Sequence, residues 1–154
     1  MRARQSSELP NGASNQRSQR LSTRITPVMI ALIGAGWHEQ EFNPRTGGRW
    51  RWLSERGELQ LRTPTRPLTL HLEGESPLKY FSRGSRLLVR SGDRTVFDQA
   101  LSADFSLDIP VDAAVETISL ATDQVFAPAD RSRRSADRRH LGLRIFKCEL
   151  RPAQ

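Results

Sequence analysis

The sequence has little that could carry chemistry or cross a membrane. It contains a single cysteine, Cys148, which excludes an internal disulfide and any cysteine-cluster metal site. No apolar run approaches the roughly 20 residues that a helix needs to span a bilayer. The 154 residues are enough to bury one substantial core and too few for two full domains. These absences indicate a single folded domain without a membrane-spanning helix.

Familiar catalytic patterns are also incomplete. The segment Gly34–Gly36 lacks the third glycine and the following helix of a dinucleotide-binding turn. His38 begins a pattern like that of a zinc-protease helix, but Phe42 stands where the second histidine must lie. The three histidines of the chain have no metal-ligand spacing. We therefore expect a protein that is not an enzyme and that uses no cofactor and no metal.

The formal net charge of +7 is concentrated in two segments. Residues 1–26 hold five arginines against one glutamate, and residues 130–144 hold six arginines against two aspartates, so each segment has a net charge of +4. Such blocks suit an anionic surface such as phospholipid, lipopolysaccharide or nucleic acid, although solvated arginines without a partner are an equal alternative. Nucleic acid is disfavoured because the arginines lie apart from most of the aromatic residues that would stack on bases.

Apolar residues alternate with polar ones over most of the chain, which is typical of half-buried antiparallel strands. Gly92-Asp93 separates two such segments and favours a tight hairpin turn. Residues of Pro, Gly and Ser separate the predicted strands. Eight or nine short strands in a chain of this length predict two packed sheets. The fold class is thus all-β, a two-sheet antiparallel sandwich of jelly-roll or immunoglobulin-like type. The segments are 49–52, 57–62, 67–73, 86–91, 94–98, 104–109, 115–121 and 141–150.

The chain divides into a tail and a domain. Residues 1–26 are rich in Ser, Asn, Gln and Arg with almost nothing apolar, so they cannot offset the entropy of ordering and are expected to form a disordered basic tail. Residues 27–154 are predicted to form the β-sandwich domain. Within it, Cys148 lies in an apolar-alternating segment, where a buried and unreactive thiol is expected.

Three tryptophans mark the start of the domain. Trp50 and Trp52 alternate with Arg49 and Arg51, so a strand here sends both indoles to one face and both guanidinium groups to the other. Together with Trp37, the indoles offer either a core anchor or a stacking platform for a flat ligand. The sequence leaves these two interpretations open.

A long basic loop spans residues 122–143. Loops of this length inside compact domains tend to be functional or disordered. Asp137 precedes Arg138 and Arg139, and a bidentate pair between the carboxylate and a guanidinium group would pin the loop to the end of the sandwich. The alternative is that Asp137 and Arg138 contact a ligand directly.

The order of several short motifs resembles a β-sandwich module. Similar modules lie at the carboxyl-terminal end of bacterial multi-spanning glycosyltransferases of the protein-O-mannosyltransferase type and in envelope-polysaccharide enzymes. The resemblance covers about residues 33–150 and implies an accessory domain without transferase activity, because the membrane catalytic part is absent. The motifs are Gly36-Trp37-His38, Glu41, Arg49-Trp50-Arg51-Trp52, Ser76-Pro77-Leu78-Lys79-Tyr80-Phe81, Thr122-Asp123, Phe126, Pro128, Ser135, Asp137-Arg138-Arg139 and Leu141-Gly142-Leu143-Arg144.

With that resemblance, the leading hypothesis is a non-catalytic module that binds or positions a glycan or glycolipid in the bacterial envelope, membrane-associated or periplasmic, with the cytoplasm left open. The alternative is an interaction protein that docks on a membrane glycosyltransferase or an anionic lipid surface through its basic tail and loop. Stacking on a sugar would be nearly independent of salt, whereas docking through arginines would weaken steeply with it. The candidate ligand-binding residues are Trp37, Arg49, Trp50, Arg51, Trp52, Asp137 and Arg138.

Overall fold

A computed structural model describes residues 31–62 and 66–153 of the chain. The predicted disordered tail, residues 1–26, and the amino-terminal boundary of the domain lie outside the described residues. Within these residues, no helix is long and apolar enough to cross a membrane.

The described residues form two five-stranded antiparallel sheets, which confirms the predicted β-sandwich. The first sheet has the strand order β1-β4-β9-β6-β7, and the second has the order β2-β3-β10-β5-β8. The one helix among the described residues, α1, is a single turn within the long loop. The elements are β1 Ala31–Ile33, β2 Glu41–Phe42, β3 Arg49–Leu53, β4 Arg56–Leu61, β5 Leu68–Glu75, β6 Arg86–Ser91, β7 Arg94–Ala100, β8 Asp104–Val111, β9 Thr117–Thr122, α1 Pro128–Arg131 and β10 Leu143–Pro152.

The main core lies between the sheets and is built from every second residue of the strands. Alternation places one apolar row of each strand inward, and burial of such rows is the principal favourable term in folding. The predicted turn at Gly92-Asp93 joins β6 to β7, and Gly92 has the positive φ of 62° that this turn requires. The central buried residues are Leu53, Leu59, Leu70, Leu72, Leu87, Val89, Ile109, Val111, Ile118, Leu120 and Leu143.

Strand β10 is interrupted by a bulge. Its pairing with β5 shifts register between Ile145 and Lys147, so one extra residue is accommodated there. Ile145 and Cys148 consequently pack on the main core, while Phe146 and Lys147 are exposed between them. Strand β3 pairs with β10 only up to Ile145, which means that the two strands separate at the bulge.

Four connections meet at one end of the sandwich, which we term the loop end. They are residues 54–55, 76–85, 101–103 and 123–142, because β3, β5, β7 and β9 finish where β4, β6, β8 and β10 begin. Buried hydrogen bonds join these connections, including Ser76 N to Ala103 O at 2.8 Å and Ser76 Oγ to Ser85 Oγ at 3.1 Å. The loop end is therefore a fixed surface built from four loops.

Candidate ligand-binding site

The two indoles of β3 lie on the outer face of the second sheet. Leu53 belongs to the main core between the sheets, whereas Trp52 packs in a separate cluster, so the predicted alternation of faces is confirmed. This smaller cluster lies outside the sandwich core and is closed by residues of the loop end. Its buried members are Trp52, Phe81, Phe126 and Leu141, with Trp50 and Tyr80 packed against them.

Trp52 is enclosed by this outer cluster. Only 7% of its surface is exposed, and Phe126 meets it edge to face with ring centroids 5.8 Å apart. Phe126 in turn stacks on Tyr80, with centroids 3.9 Å apart. The Trp52 indole thus anchors the loop end to the sheet, and its predicted contact with a ligand stays a prediction.

Trp50 is half-buried and has two polar neighbours. Its Nε1 donates a hydrogen bond to Glu41 Oε2 at 3.0 Å, which fixes the orientation of the ring. The guanidinium carbon of Arg144 lies 4.8 Å from the ring centroid, within the range of a cation–π interaction. One edge of Trp50 is therefore fixed by a carboxylate and the ring itself is engaged by a cation of the same chain.

Arg144 lies among three aromatic rings. Besides Trp50, its guanidinium carbon is 5.1 Å from the ring centroid of Phe146 and 6.0 Å from that of Trp52. Its Nε is buried and donates no hydrogen bond within the described residues, since Glu75 Oε1 is 3.5 Å away. The Arg144 side chain is 32% exposed, so its guanidinium can present donors to an added acceptor, whereas Nε itself is enclosed.

Three depressions adjoin one another around this guanidinium. One of about 370 Å³ lies beside Trp52, Arg144, Glu75 and Asp104, and is closed at the loop end by residues 76–80. A second, of about 380 Å³, shares Asp104 with the first and is bounded by Phe146. A third, of about 170 Å³, lies where β3 and β10 separate and shares Phe146 with the second. We refer to the three depressions together as the outer groove.

The outer groove combines flat apolar surfaces with charged groups that bind hydroxyls. Phe146, at the centre of the outer groove, is 43% exposed. Glu75 and Asp104 supply carboxylate acceptors, and Arg144 supplies donors. A ligand with apolar C–H faces and polar edges would find a partner for both in this groove.

The remaining predicted residues of β3 and its surroundings are distributed around the third depression. Trp37 is half-buried, donates from Nε1 to Glu58 O at 3.1 Å and lines this depression with Trp50 and Arg51. Arg51 Nη1 donates to His38 O at 3.1 Å. Arg49 is exposed and lies outside the groove, with its guanidinium 5.6 Å from the ring centroid of Phe42.

In the long loop, the predicted bidentate pair of Asp137 is confirmed, and the guanidinium group in this pair belongs to Arg139. Asp137 accepts from Arg139 Nη2 at 2.7 Å and from Arg139 Nε at 3.0 Å. This hydrogen bonding lowers the pKa of Asp137 to about 2 against the opposing effect of burial. Arg138 points into solvent at an exposed position. The two predicted loop residues therefore differ: Asp137 is engaged in holding the loop, and Arg138 is exposed to solvent.

A second polar cluster lies further along the outer face. His71 is buried, and its Nδ1 and Nε2 each lie 2.7 Å from a carboxylate oxygen, of Asp108 and Glu73 respectively. Both ring nitrogens can donate only when the imidazole is protonated. The hydrogen bonds to Glu73 and then to Asp108 accordingly raise the pKa of His71. This cluster is an ion triad that joins β5 to β8.

Cys148 lies on the inner side of β10 at the third depression. It is a free thiol, half-buried and packed against the main core. Burial raises the pKa of the thiol to about 12, so the thiolate is scarce near neutral pH. Low reactivity agrees with the expectation, whereas the predicted full burial is not found, because Cys148 lies at the third depression.

Sequence reasoning did not select the residues at the centre of the outer groove, which are Arg144, Phe146, Glu75 and Asp104. They come from three strands that are distant in sequence, and only the register of β5, β8 and β10 brings them side by side. One signal was present: the inward residues Ile145 and Cys148 are three positions apart rather than two, which indicates a bulge and an exposed Phe146.

Comparison with known proteins gives a structural likeness and no sequence match. No protein-family model and no curated protein matches the sequence. Among solved structures, the chain is similar to the C-terminal CBM6 of LamC, a marine laminarinase from Zobellia galactanivorans, with 11% sequence identity and a TM-score of 0.37. The match covers 76% of this chain and 99% of that chain. A likeness of this extent carries no argument about function, which is therefore argued from the outer groove alone.

Proposed function

We propose that this protein is a non-catalytic β-sandwich module that binds a glycan in the outer groove. The observation that carries the proposal is the position of Arg144, whose guanidinium lies among three aromatic rings and borders a depression that also contains Glu75 and Asp104. Guanidinium and carboxylate groups side by side can hydrogen-bond neighbouring hydroxyls of one sugar ring.

A sugar suits this groove for two physical reasons. Pyranose rings have an apolar face of C–H groups, which packs on an exposed aromatic ring such as Phe146. Their hydroxyls need both donors and acceptors, and the groove offers both within three adjoining depressions. The length of the groove across β3, β10, β5 and β8 favours an oligosaccharide over a single sugar.

The proposal extends to the setting of the module. We infer a place in the bacterial envelope, where the module positions a glycan or the glycan part of a glycolipid for a membrane glycosyltransferase. What supports this setting is the sequence resemblance to glycosyltransferase accessory modules over about residues 33–150. Binding of envelope glycans in preference to unrelated glycans, and co-purification with a membrane glycosyltransferase, would test it.

The binding test uses a glycan array at low and high salt with matched variants. Phe146→Ala removes the exposed ring of the groove, and Phe42→Ala removes a ring of similar exposure, 54%, on edge strand β2. Asp104→Asn removes a groove carboxylate, and Asp93→Asn removes an exposed one in the β6–β7 turn. We expect each groove variant to lose about fivefold in affinity, because one aromatic stacking contact or one buried hydrogen bond contributes about 1 kcal/mol.

The two control variants should bind as the unaltered protein does, and binding should change little with salt. Unchanged binding by folded Phe146→Ala and Asp104→Asn variants would refute the outer groove as the site. Trp50→Ala and Arg49→Gln extend the array to the residues predicted from sequence. Trp50 lines the groove and Arg49 lies outside it, so loss of binding in Arg49→Gln with binding retained in Phe146→Ala would place the site at β3 rather than in the groove.

Docking on a membrane glycosyltransferase through the basic loop is the second candidate function. The exposed position of Arg138 and of three further arginines in the loop favours it. Affinity for such a partner would fall steeply with salt, since exposed charges are screened beyond about 8 Å at physiological ionic strength. A salt-insensitive glycan interaction would separate the two candidates.

A further inference from the structure

The long loop displays a group of arginines that form no ion pair with any residue the structure describes. Four of them are exposed, and none forms an ion pair within the part of the chain that the structure describes. The acidic residues of the same stretch do not compensate: Asp137 is engaged by Arg139, and Asp130 is a single exposed carboxylate. The four are Arg131, Arg133, Arg134 and Arg138.

Several arginines elsewhere on the surface are paired with an acidic residue. Three of them contact an aspartate: Arg83 with Asp123 at 3.0 Å, Arg86 with Asp98 at 2.6 Å, and Arg94 with Asp112 at 2.6 Å. Pairing reduces the field that such arginines project into solvent. The loop therefore carries most of the uncompensated positive charge at its end of the molecule.

The backbone of the loop is held by its own hydrogen bonds. Ala129 N donates to Asp137 O at 2.7 Å, and Ser132 N donates to Pro128 O at 3.1 Å. The bidentate pair between Asp137 and Arg139 closes the loop from the other side. Because the backbone is fixed before any partner arrives, less ordering entropy opposes binding than for a flexible basic segment.

An exposed apolar side chain lies on the neighbouring loop. Leu78 is 48% exposed, and Lys79 beside it adds another cation. Tyr80 of this loop stacks on Phe126, a residue near the start of the long loop, with ring centroids 3.9 Å apart. The two loops thus present five exposed cations and one exposed leucine at the same end of the sandwich.

We propose that the loop end is a contact surface for an anionic lipid bilayer. Arginine and lysine side chains are attracted to the negative surface potential of such a bilayer, and an exposed leucine gains by entering the boundary of the acyl chains. Leu78 distinguishes a bilayer from a soluble polyanion, which offers no apolar phase for it. The inference does not depend on glycan binding, although Leu78 and Lys79 also border the outer groove and would hold its open end toward the bilayer.

The test measures binding of the full chain to vesicles of phosphatidylcholine with and without phosphatidylglycerol, by co-sedimentation. One variant combines Arg131→Gln, Arg133→Gln and Arg134→Gln. The matched control loses the same charge at the opposite end of the sandwich through Arg45→Gln, Arg62→Gln and Arg90→Gln, all at exposed positions. Both variants retain the basic amino-terminal segment, so its contribution cancels in the comparison.

We expect the loop variant to lose about a hundredfold in affinity for the anionic vesicles, since each basic residue near an anionic surface contributes about fivefold. The control should lose only a few-fold, and Leu78→Ser should lose about tenfold while it retains every charge. Equal losses in the two triple variants would overturn the proposal. Tight binding to single-stranded RNA that Leu78→Ser does not weaken, without binding to vesicles, would also overturn it in favour of nucleic acid.

Discussion

Asp137 accepts hydrogen bonds from Arg139 with both carboxylate oxygens, and Arg139 also contacts Glu41 of strand β2. Its Nη1 lies 2.9 Å from Glu41 Oε1, and Glu41 Oε2 accepts the hydrogen bond of Trp50 Nε1 at 3.0 Å. A single arginine therefore connects the long loop with β2 and, through Glu41, with the indole of β3. The loop and the aromatic residues of the second sheet are consequently coupled through one ion network.

Breaking this network with Asp137→Asn should destabilise the protein by about 1 kcal/mol, a value discounted for the partial exposure of the pair. Arg139 lowers the pKa of Asp137 to about 2 from an ordinary value of 3.8. A lowered pKa stabilises the folded state above the unfolded pKa, and this contribution is lost as pH falls through the folded pKa. The difference in unfolding free energy between the two proteins should thus disappear between about pH 4 and pH 2.

Urea denaturation over this pH range is the measurement, with Asp93→Asn as an exposed control. A difference that persists undiminished at the lowest pH would contradict the role of the carboxylate charge.

Gly36 should tolerate no side chain. Its φ is +85°, and a Cβ atom would lie 1.7 Å from Arg56 O, a backbone atom that cannot move aside easily. Gly47 also has a positive φ, of +75°, but a Cβ there would meet nothing within 4 Å. Gly47→Ala should therefore cost about 1 kcal/mol for its backbone conformation, whereas Gly36→Ala should cost more than about 3 kcal/mol. Thermal unfolding of both variants gives the comparison, and equal costs would show that the close approach at Gly36 relaxes freely.

Trp52 should be a larger determinant of stability than Trp50. Trp52→Ala empties the outer cluster and should lower the unfolding free energy by about 3–5 kcal/mol, as is usual for a buried large aromatic residue. Trp50→Ala removes a half-buried ring and should cost roughly half of that. Chemical denaturation of both variants and of Trp52→Phe tests the order. A Trp52→Ala variant as stable as Trp50→Ala would mean that the outer cluster contributes little.

His71 should add stability on the acidic side of neutrality. Glu73 and Asp108 raise its pKa above the ordinary value of 6.5. A raised pKa contributes stability that is fully present below the unfolded pKa and is lost as pH rises through the folded pKa. At acidic pH the unfolding free energy of the unaltered protein should therefore exceed that of His71→Gln. This difference should shrink as pH rises above 6.5 and through the raised pKa of His71. An NMR titration of the imidazole gives the pKa directly, and a value below 6.5 would contradict the ion triad.

The strands could be predicted because each one reports its own environment. In β5 and β8, apolar side chains recur at every second residue, and the structure buries most of these residues. Glycine chemistry likewise located the turn at Gly92. The strand order could not be obtained in this way, because alternation reports which side is buried and carries no information about the neighbouring strand.

The groove shows the same limit at the level of single residues. The pattern of β3 correctly separated Trp50 and Trp52 from Arg51, but it left open whether the indoles would face a core or a ligand. The answer depends on Phe126 and Tyr80, which cover Trp52 from loops far along the chain. Arg144 escaped selection because its three aromatic neighbours are adjacent to it only after the strands have paired.

The outer cluster gives the sandwich a third layer at its loop end, so β3 lies there between two apolar environments. Leu53 fits the interior between the sheets, and Trp52 fits the cluster under Phe126. A slip of one residue along β3 would exchange these two side chains and force an indole into the space of a leucine. Two side chains of unequal size therefore fix the register of β3, a short strand that contains two arginines.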